Sequence, residues 1–483
     1  MNSGNIFSNR DKELPDHLIS TTAIADVIAK GCGVELSEKD RLAILLHDIA
    51  KAHPRFQKRL LQNKGRFGHS EPSSALVFGL TRDMICAEAI RRHHSRLQNI
   101  DEVKKFWGNE WDYKTEKAGG LNSVIAGLQW WQGAEEIAEK CRLEVSSWLD
   151  LLPDQDEWED ILFDLDDYGC DQNEGVVNDW LRLRMLYSIL VAADRYEAAV
   201  SKKTINYSPL ISDPAKIDDY LSGTEPSDIS AWRNEIRLEV VQNAERFIQK
   251  PGVFTLTLPT GAGKTLIGME IAMQVARRFQ YSTLIYVLPF VSLVEQNADV
   301  AAKLFDVVQE DHYLSYPESD SEEATPEERF VAFFRYWQEP VIVTTLAKLW
   351  NVLYSPRAND TMSFHRLSNS VVILDEPQVV RTSCWEGFGK TLQLLVDKLG
   401  TTFILMTATQ PEIARGTELA PESVKFPLVR HELHWISGQG KRMSIAEAAD
   451  FLIRQGVLEK SSLLVLNTRE SALRMYGEMK KRG

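Results

Sequence analysis

The sequence is poor in the features that mark secreted and membrane proteins. Its five cysteines form no C-x-x-C pair, which argues against a thiolate zinc site and a disulfide framework; they are Cys32, Cys86, Cys141, Cys170 and Cys384. No apolar run approaches the roughly 18 residues of a membrane span. The polar start MNSGNIFSNRDKELPDH also lacks the apolar core of a secretory signal. We therefore expect a cytoplasmic protein with no membrane partner.

The sequence also has fewer basic than acidic residues, so its net charge is −14. A field of this sign repels nucleic acid at long range, so any binding of nucleic acid needs a locally basic groove. With 483 residues, 44% of them apolar, the chain can bury large cores. This length is typical of about two to four domains.

Strand signals are nearly absent from residues 14 to about 200. Apolar residues recur there at three- and four-residue spacing, which predicts helices in residues 18–30, 41–53, 75–94 and 181–200. The twelve acidic residues in the stretch from Asp150 to Asp179 indicate a solvated insertion between helices.

The pattern changes after residues 208–228, a Pro/Ser/Asp-rich stretch that we interpret as a linker. A helix is predicted in 231–249, and an exposed acidic loop in 317–328. Short apolar runs then alternate with helical ones: VFTLTLP, STLIYVLP, EPVIVTT, SVVILDEP and TTFILMTAT. Continuous apolar strands separated by helices indicate a parallel sheet buried on both faces.

Several polar side chains of the N-terminal part fall on apolar helix faces. Asp48 lies inside the apolar run 42–56, where a continuous helix would bury its carboxylate. His17, His93 and Asp194 occupy similar positions. One such histidine alone is more often a hydrogen-bonded core residue, but buried carboxylates and imidazoles together require a cation.

In order along the chain, eight residues resemble the motif series of HD-domain phosphohydrolases, and in particular the nuclease domain of type I CRISPR-associated helicase-nucleases. They are His17, His47, Asp48, Lys51, His69, His93, His94 and Asp194. The resemblance implies two metal sites bridged by Asp48. One is completed by His17, His47 and Asp194, and the other by His69, His93 and His94.

Mixed imidazole and carboxylate donors suit Mn, Fe, Co or Ni better than Mg. Two such divalent transition metals could activate a water and stabilise both oxygens of a phosphodiester displacement. Lys51 is expected to steady a phosphate oxygen or the leaving group, or alternatively to pair with acids at the surface. His53 has no counterpart in the motif series, and we interpret it as structural or surface.

The C-terminal part contains a phosphate-binding pattern in TLTLPTGAGKTLIGMEIA (255–272). A glycine-rich turn between a strand and a helix presents backbone N–H groups to phosphates. The strict pattern has glycine where this chain has Leu258. Expected ATP and Mg contacts are Thr260, Gly261, Gly263, Lys264, Thr265 and Asp375. Glu376, which follows the strand VVILD, would orient the attacking water.

These segments, together with LMTATQP (405–411), LPFVSLVEQ (288–296) and VTTLAKL (343–349), resemble superfamily 2 helicase motifs. In that family the last two touch the nucleic-acid backbone; plain strand-to-helix packing is the alternative. We predict a multidomain protein: an all-α HD phosphohydrolase domain in 1–215, followed by α/β RecA-like helicase lobes with parallel sheets. The first lobe is expected in 216–415, and 416–483 would begin a second.

In that second lobe, residues 461–483 are expected to form the first strand and helix, so we expect a C-terminally truncated form with impaired unwinding. The resemblance implies an ATP-dependent helicase and metal-dependent nuclease that degrades single-stranded DNA after recruitment by an RNA-guided surveillance complex. An alternative is a nucleic-acid remodeller whose HD domain is a nucleotide phosphohydrolase or a metal-stabilised binding module.

Overall fold

A computed structural model describes residues 6–9, 12–62, 67–110, 174–199, 215–223, 225–311, 337–427, 443–459 and 461–482, together with 139, 157, 161, 210 and 213. Most of the acidic stretch 150–179 and all of the acidic loop 317–328 lie outside these residues. The chain divides into two compact units, Met1–Lys425 and Phe426–Gly483, and each is described by itself.

The first part of the larger unit is helical, as the apolar spacing predicts. It opens with a short antiparallel pair, β1 (Phe7–Asn9) and β2 (Lys12–Glu13). The helices are α1 (Leu14–Gly31), α2 (Glu38–Leu45), α3 (Pro54–Gln62), α4 (Ser70–Thr81), α5 (Met84–Arg92), α6 (Ile100–Glu110) and α7 (Glu174–Ala199). The predicted helix 75–94 is two helices, because Arg82 adopts a left-handed φ of 48° and Asp83 caps the start of α5.

The run of residues 42–56 is not the single helix that its apolar residues predict. α2 ends at Leu45, and a turn carries His47 and Asp48 into a 3-10 helix, Ile49–Ala52. Neighbouring positions of an α-helix point about 100° apart, so this turn is what lets adjacent side chains approach one centre. The predicted burial of Asp48 is confirmed, since its side chain is fully buried.

The rest of this unit is built on a seven-stranded sheet of order β5-β6-β4-β7-β8-β3-β9, in which every pairing is parallel. The strands are β3 (Val253–Thr257), β4 (Thr283–Leu288), β5 (Val308–Asp311), β6 (Val341–Thr345), β7 (Ser370–Asp375), β8 (Thr402–Thr407) and β9 (Thr417–Glu418). The five predicted strands are confirmed. Because all strands run the same way, the ends of β3, β7 and β8 meet at one edge.

Helices cover this sheet: α8 (Ala215–Ser222), α9 (Ser230–Phe247), α10 (Lys264–Phe279), α11 (Val291–Leu304), α12 (Leu346–Tyr354), α13 (Ala358–Thr361) and α14 (Trp385–Leu399). α8 lies inside the predicted linker, where Ile217 is fully buried in the core of the sheet. Gly268 in α10 has a packing role, because a Cβ there would lie 2.4 Å from Sδ of Met406 in β8.

The helical part and the sheet share one hydrophobic core, in which Ile49 and Ile342 belong to the same cluster. Polar contacts join the two parts as well: the buried Arg184 of α7 donates to the carbonyl of Val352 at 2.7 Å. The two parts therefore bury part of each other's apolar surface, although a linker-like stretch separates them in the sequence. The boundaries at residues 215 and 415 remain predictions.

The smaller unit contains α15 (Ile445–Arg454) and α16 (Arg469–Arg482). Its predicted terminal helix is observed, but residues 461–466 form no strand, and Leu463 is 87% exposed. A strand without a neighbour has no partner for its backbone N–H and C=O groups, so an apolar run alone does not form one. Among the described residues of the chain, no helix combines the length and apolar character of a membrane span.

Candidate functional site

Asp48 lies at the centre of the predicted histidine cluster. The turn after α2 brings its carboxylate between α1, α4, α5 and α7, the elements that carry or adjoin the other predicted ligands. Burial alone would disfavour a charge here. Lys51 and the surrounding histidines nevertheless hold the pKa of Asp48 well below its usual value, so the carboxylate stays ionised.

One group of predicted ligands faces Oδ2 of Asp48. Nε2 of His17 lies 3.2 Å from this oxygen, and Nε2 of His47 lies 3.4 Å from it. Oδ1 of Asp194 completes the group, 3.5 Å from His17 Nε2 and 3.6 Å from His47 Nε2. The structure therefore brings together the first predicted metal set.

A second group faces the other oxygen, Oδ1, of Asp48. Nε2 of His69 lies 3.0 Å from it and Nε2 of His93 lies 3.3 Å from it. Nε2 of His94 is 3.0 Å from Nε2 of His69. Within each group, with Asp48 counted in both, the candidate ligand atoms lie within 4.8 Å of one another. One carboxylate thus serves two sets of donors, one set at each oxygen.

The rings of His47 and His93 are oriented by hydrogen bonds on the side that faces away from Asp48. Nδ1 of His47 is 2.8 Å from the carbonyl of Ile44, and Nδ1 of His93 is 2.6 Å from the carbonyl of Ile90. A carbonyl only accepts hydrogen bonds, so each Nδ1 donates its N–H to the carbonyl, and each Nε2 faces the centre as the candidate metal-binding atom.

His17 is held differently, by a carboxylate that the sequence reasoning missed. Its Nδ1 lies 2.6 Å from Oε2 of Glu197, whose other oxygen forms an ion pair with Lys12 of β2. Glu197 follows Asp194 by three positions on α7, and this spacing on one helix face is the signal that could have found it. Carboxylate support behind a histidine is common at metal sites.

The donor set fits divalent metal ions. Nε2 of His47 and Nε2 of His93 are buried without a hydrogen-bond partner. Such atoms are costly unless a cation satisfies them. Burial, opposed in part by Asp48, lowers the pKa of His69 to about 4, so this imidazole is neutral near pH 7, as a metal ligand must be.

Lys51 and His53 lie at the border of this centre. Nζ of Lys51 forms an ion pair with Oδ2 of Asp48, and its side chain is 14% exposed. The ring of His53 stacks on Phe67 at 4.7 Å, and its Nδ1 accepts the N–H of Arg55 at the start of α3. These contacts agree with the structural interpretation of His53.

The predicted phosphate-binding loop lies between β3 and α10. Gly261 and Gly263 have φ values of 89° and 88°, which only glycine adopts readily. Thr260 precedes them in the same turn. Leu258, which stands where the strict pattern has glycine, is buried and its N–H donates to the carbonyl of Thr407. It thus extends β3 beside β8, so this position needs no glycine.

Lys264, at the start of α10, forms an ion pair with Glu376. Its Nζ lies 2.8 Å from Oε1 of Glu376, which follows β7. Oε2 of Glu376 accepts from Nε2 of Gln378 at 2.6 Å and from the hydroxyl of Thr407 at 3.1 Å. The phosphate-binding loop, the segment after β7 that carries Glu376, and the segment TAT (407–409) are therefore joined by polar contacts at one edge of the sheet.

Tyr286 of β4 is a second residue that the sequence reasoning missed. Its phenol donates to Oδ2 of Asp375 at 3.1 Å and lies 3.4 Å from the hydroxyl of Thr265. Both partners are predicted Mg ligands, and Oδ1 of Asp375 is buried without a partner. Burial, only partly offset by this phenol, raises the pKa of Asp375 to about 6.

The two segments expected to touch nucleic acid also follow strand ends. β4 ends in residues 288–296 and leads into α11, and β6 ends in residues 343–349 and leads into α12. The aromatic ring of Phe290, at the first junction, is 58% exposed. Thr345 caps α12 by accepting the N–H of Lys348.

Two family models match the chain: the HD domain at residues 15–119 and the DEAD/DEAH box helicase at residues 234–415. The CRISPR-associated nuclease/helicase Cas3 of Haloferax volcanii is 24% identical over an alignment of 443 residues that covers 78% of this chain and 46% of the relative. The chain thus spans about half the length of this curated relative.

Solved structures are similar as well. Cas3 of T. fusca with AMPPNP matches at a TM-score of 0.48 and 14% identity, over 84% of this chain and 50% of that one. A chain of a CRISPR RNA-guided surveillance complex in its pre-nicking state matches at a TM-score of 0.43 and 14% identity, over 84% and 47% of the two chains.

The matched regions define the class: the chain joins an HD domain to a DEAD/DEAH box helicase domain. In this combination and order it is a Cas3-like HD–helicase fusion.

Proposed function

We propose that this protein is a CRISPR interference effector that cuts single-stranded DNA at its HD centre and moves along DNA with ATP. The observation that supports this most is the division of donors round Asp48, with one set at each carboxylate oxygen. His17, His47 and Asp194 would hold one divalent metal, and His69, His93 and His94 a second. When bound, a pair of such ions lowers the pKa of water and stabilises the charge that develops on a phosphodiester.

The chain's own residues would do the remaining work at the HD centre. Asp48 stays ionised between the two donor sets, and Lys51 lies beside it with its ammonium partly exposed. In this proposal Lys51 leaves Asp48 to bind a nonbridging phosphate oxygen or the departing oxygen of the substrate. Glu197 keeps the ring of His17 oriented toward the centre throughout.

At the helicase site, the Lys264–Glu376 ion pair would open when ATP binds. Lys264 would then contact the β- and γ-phosphates, leaving Glu376 to orient the attacking water. Thr265 and Asp375 would bind Mg, with Tyr286 holding Asp375 in place. The backbone N–H groups round Gly261 and Gly263 would cradle the phosphates.

Recruitment by an RNA-guided surveillance complex, and action in the cytoplasm on invading DNA, belong to the same proposal. They rest on the likeness to a relative named as a CRISPR-associated nuclease/helicase. Mn, Fe, Co or Ni are the metals that the mixed imidazole and carboxylate donors favour.

A nuclease assay titrated with each metal tests the proposal. Labelled single-stranded DNA and a deoxynucleoside triphosphate are offered in parallel, with and without ATP. Cutting of DNA that needs a transition metal but no ATP supports the nuclease. Hydrolysis of the deoxynucleoside triphosphate alone would instead identify a nucleotide phosphohydrolase.

A further inference from the structure

A basic helix borders the HD centre. α3 has the sequence PRFQKRLLQ, with three cations and no acidic residue, in a chain whose net charge is −14. Arg55 and Lys58 are exposed, and Arg59 is half-buried. Residues three and four positions apart share a helix face, so the three cations form one stripe, called here the α3 stripe.

No carboxylate among the described residues forms an ion pair with the α3 stripe. Other arginines of the helical part differ from these cations, since Arg41, Arg96 and Arg182 each form an ion pair with an acidic side chain. An isolated unpaired cation is ordinary at a surface. Three on one turn and a half of helix, within an acidic protein, make a local positive field that no described carboxylate neutralises by an ion pair.

The α3 stripe adjoins one of the partly exposed sides of the metal centre. Phe56, the buried residue of α3, has its ring 5.6 Å from the ring of His69. The same ring lies 6.0 Å from Nζ of Lys51. His69 and Lys51 are partly exposed, at 13% and 14%, whereas Asp48 and His93 are fully covered. A polymer that reaches the centre from this side therefore passes α3.

We propose that the α3 stripe binds the backbone of single-stranded DNA and guides it to the HD centre. This inference rests on the proposed nuclease function and adds the surface that delivers its substrate. The net charge repels nucleic acid at long range, so a local row of cations is what would hold the phosphates. Contacts to phosphates position a strand without reading its sequence, and binding should therefore tolerate any sequence.

The test is the salt dependence of DNA binding by the whole chain. Arg55→Gln with Lys58→Gln is compared with the wild type by fluorescence anisotropy of labelled oligo-dT in EDTA, where no cutting occurs. Each phosphate contact on a single strand contributes about 0.7 to the slope of log K against log salt. We expect the double variant to lose about 1.4 of this slope and to bind several-fold more weakly in low salt.

The matched control is Lys30→Gln with Lys39→Gln, which removes the same charge from exposed positions on α1 and α2. If the slope falls only in the α3 variant and returns to the wild-type value in Arg55→Lys with Lys58→Arg, the result supports DNA binding by the α3 stripe. A slope that is unchanged in the α3 variant, or that falls equally in the control, would overturn the proposal. The unchanged slope is the result expected if the stripe instead binds an acidic protein. A wild type that cuts no DNA would refute the proposed nuclease, while the slope in EDTA would still decide the stripe.

Discussion

Nδ1 of His17 lies 2.6 Å from Oε2 of Glu197, so a metal-facing histidine of α1 is held by a buried carboxylate of α7. The ion pair of Glu197 with Lys12 ties the same arrangement to β2. Among the predicted metal ligands in the described structure, His17 is the one whose ring is oriented by a charged side chain. Its metal affinity should therefore depend on that charge.

Glu197→Gln should therefore weaken metal binding at the set formed by His17, His47 and Asp194. Loss of such support typically lowers metal affinity about 10- to 100-fold. Calorimetric titration with Mn²⁺ would show one of two sites weakened and the other, at His69 and His93, little changed. Glu38→Gln, an exposed change on α2, is the control. Equal weakening of both sites would contradict a role specific to His17.

Tyr286→Phe should raise the Mg²⁺ concentration needed for nucleotide binding. The variant removes only the hydroxyl that donates to Asp375, and a hydrogen bond to a charged group contributes about 1.5 kcal/mol, or roughly tenfold. The measurement is a Mg²⁺ titration of fluorescent ATP binding. Tyr281→Phe removes a buried hydroxyl elsewhere beside the sheet and should leave the Mg²⁺ dependence alone. An unchanged Mg²⁺ midpoint in Tyr286→Phe would refute the role.

The grouping of the metal-facing residues shows what the sequence could and could not predict. His17, His47, Asp48, His69, His93, His94 and Asp194 come together in the two sets that the resemblance implies. Residue spacing alone could not assign them, because they lie on separate elements that meet only in the folded chain. The turn at His47 was also missed, since its apolar neighbours continue a helical pattern.

The supporting residues were harder to predict for a physical reason. Tyr286 stands inside a continuous apolar strand, where its ring satisfies the pattern and its hydroxyl gives no signal. β5 and β9 were missed because they are short and polar, VQED and TE, and contain no apolar run. Arg184 looks like a surface residue of an amphipathic helix, although it is buried against α12.

Arg184→Met should destabilise the larger unit as a whole. The guanidinium is buried, which lowers its pKa to about 10, and it donates to the carbonyls of Val352 and Ser355. Removing it leaves the buried carbonyl of Val352 without this donor, whereas the carbonyl of Ser355 still accepts from the hydroxyl of Thr361. A buried polar group left unpaired costs about 1–3 kcal/mol, so we expect a loss of about 1–3 kcal/mol in the free energy of unfolding by urea. Arg41→Met, which breaks an exposed pair with Asp26, should lose less than about 1 kcal/mol.

The shared core adds a second expectation for the same urea experiment. Probes in the helical part and in the sheet part should report one transition, because the two parts bury each other's surface. If Arg184→Met were to separate the transitions without lowering either midpoint, the contact would join two independently stable parts instead.

Lys264→Ala should abolish nucleotide binding while sparing metal-dependent cutting of single-stranded DNA. Lys264 contacts Glu376 at the edge of the sheet, and no contact among the described residues joins it to the HD centre. Binding of fluorescent ATP and cutting of labelled DNA without ATP are measured on the same preparation. Lys250→Ala, an exposed change before β3, is the control. Loss of both activities in a folded Lys264→Ala protein would contradict the separation of the two chemistries.

Asp48 contacts both donor sets, so the decisive measurement is the rate of single-stranded DNA cleavage by Asp48→Ala with saturating Mn²⁺. Several kcal/mol of charge stabilisation depend on the ions it would join, and each 1.36 kcal/mol is tenfold in rate. We predict a loss of about 100-fold or more, with Asp16→Ala, an exposed neighbour of His17, close to wild type. Full cleavage by a folded Asp48→Ala protein would contradict the two-metal centre.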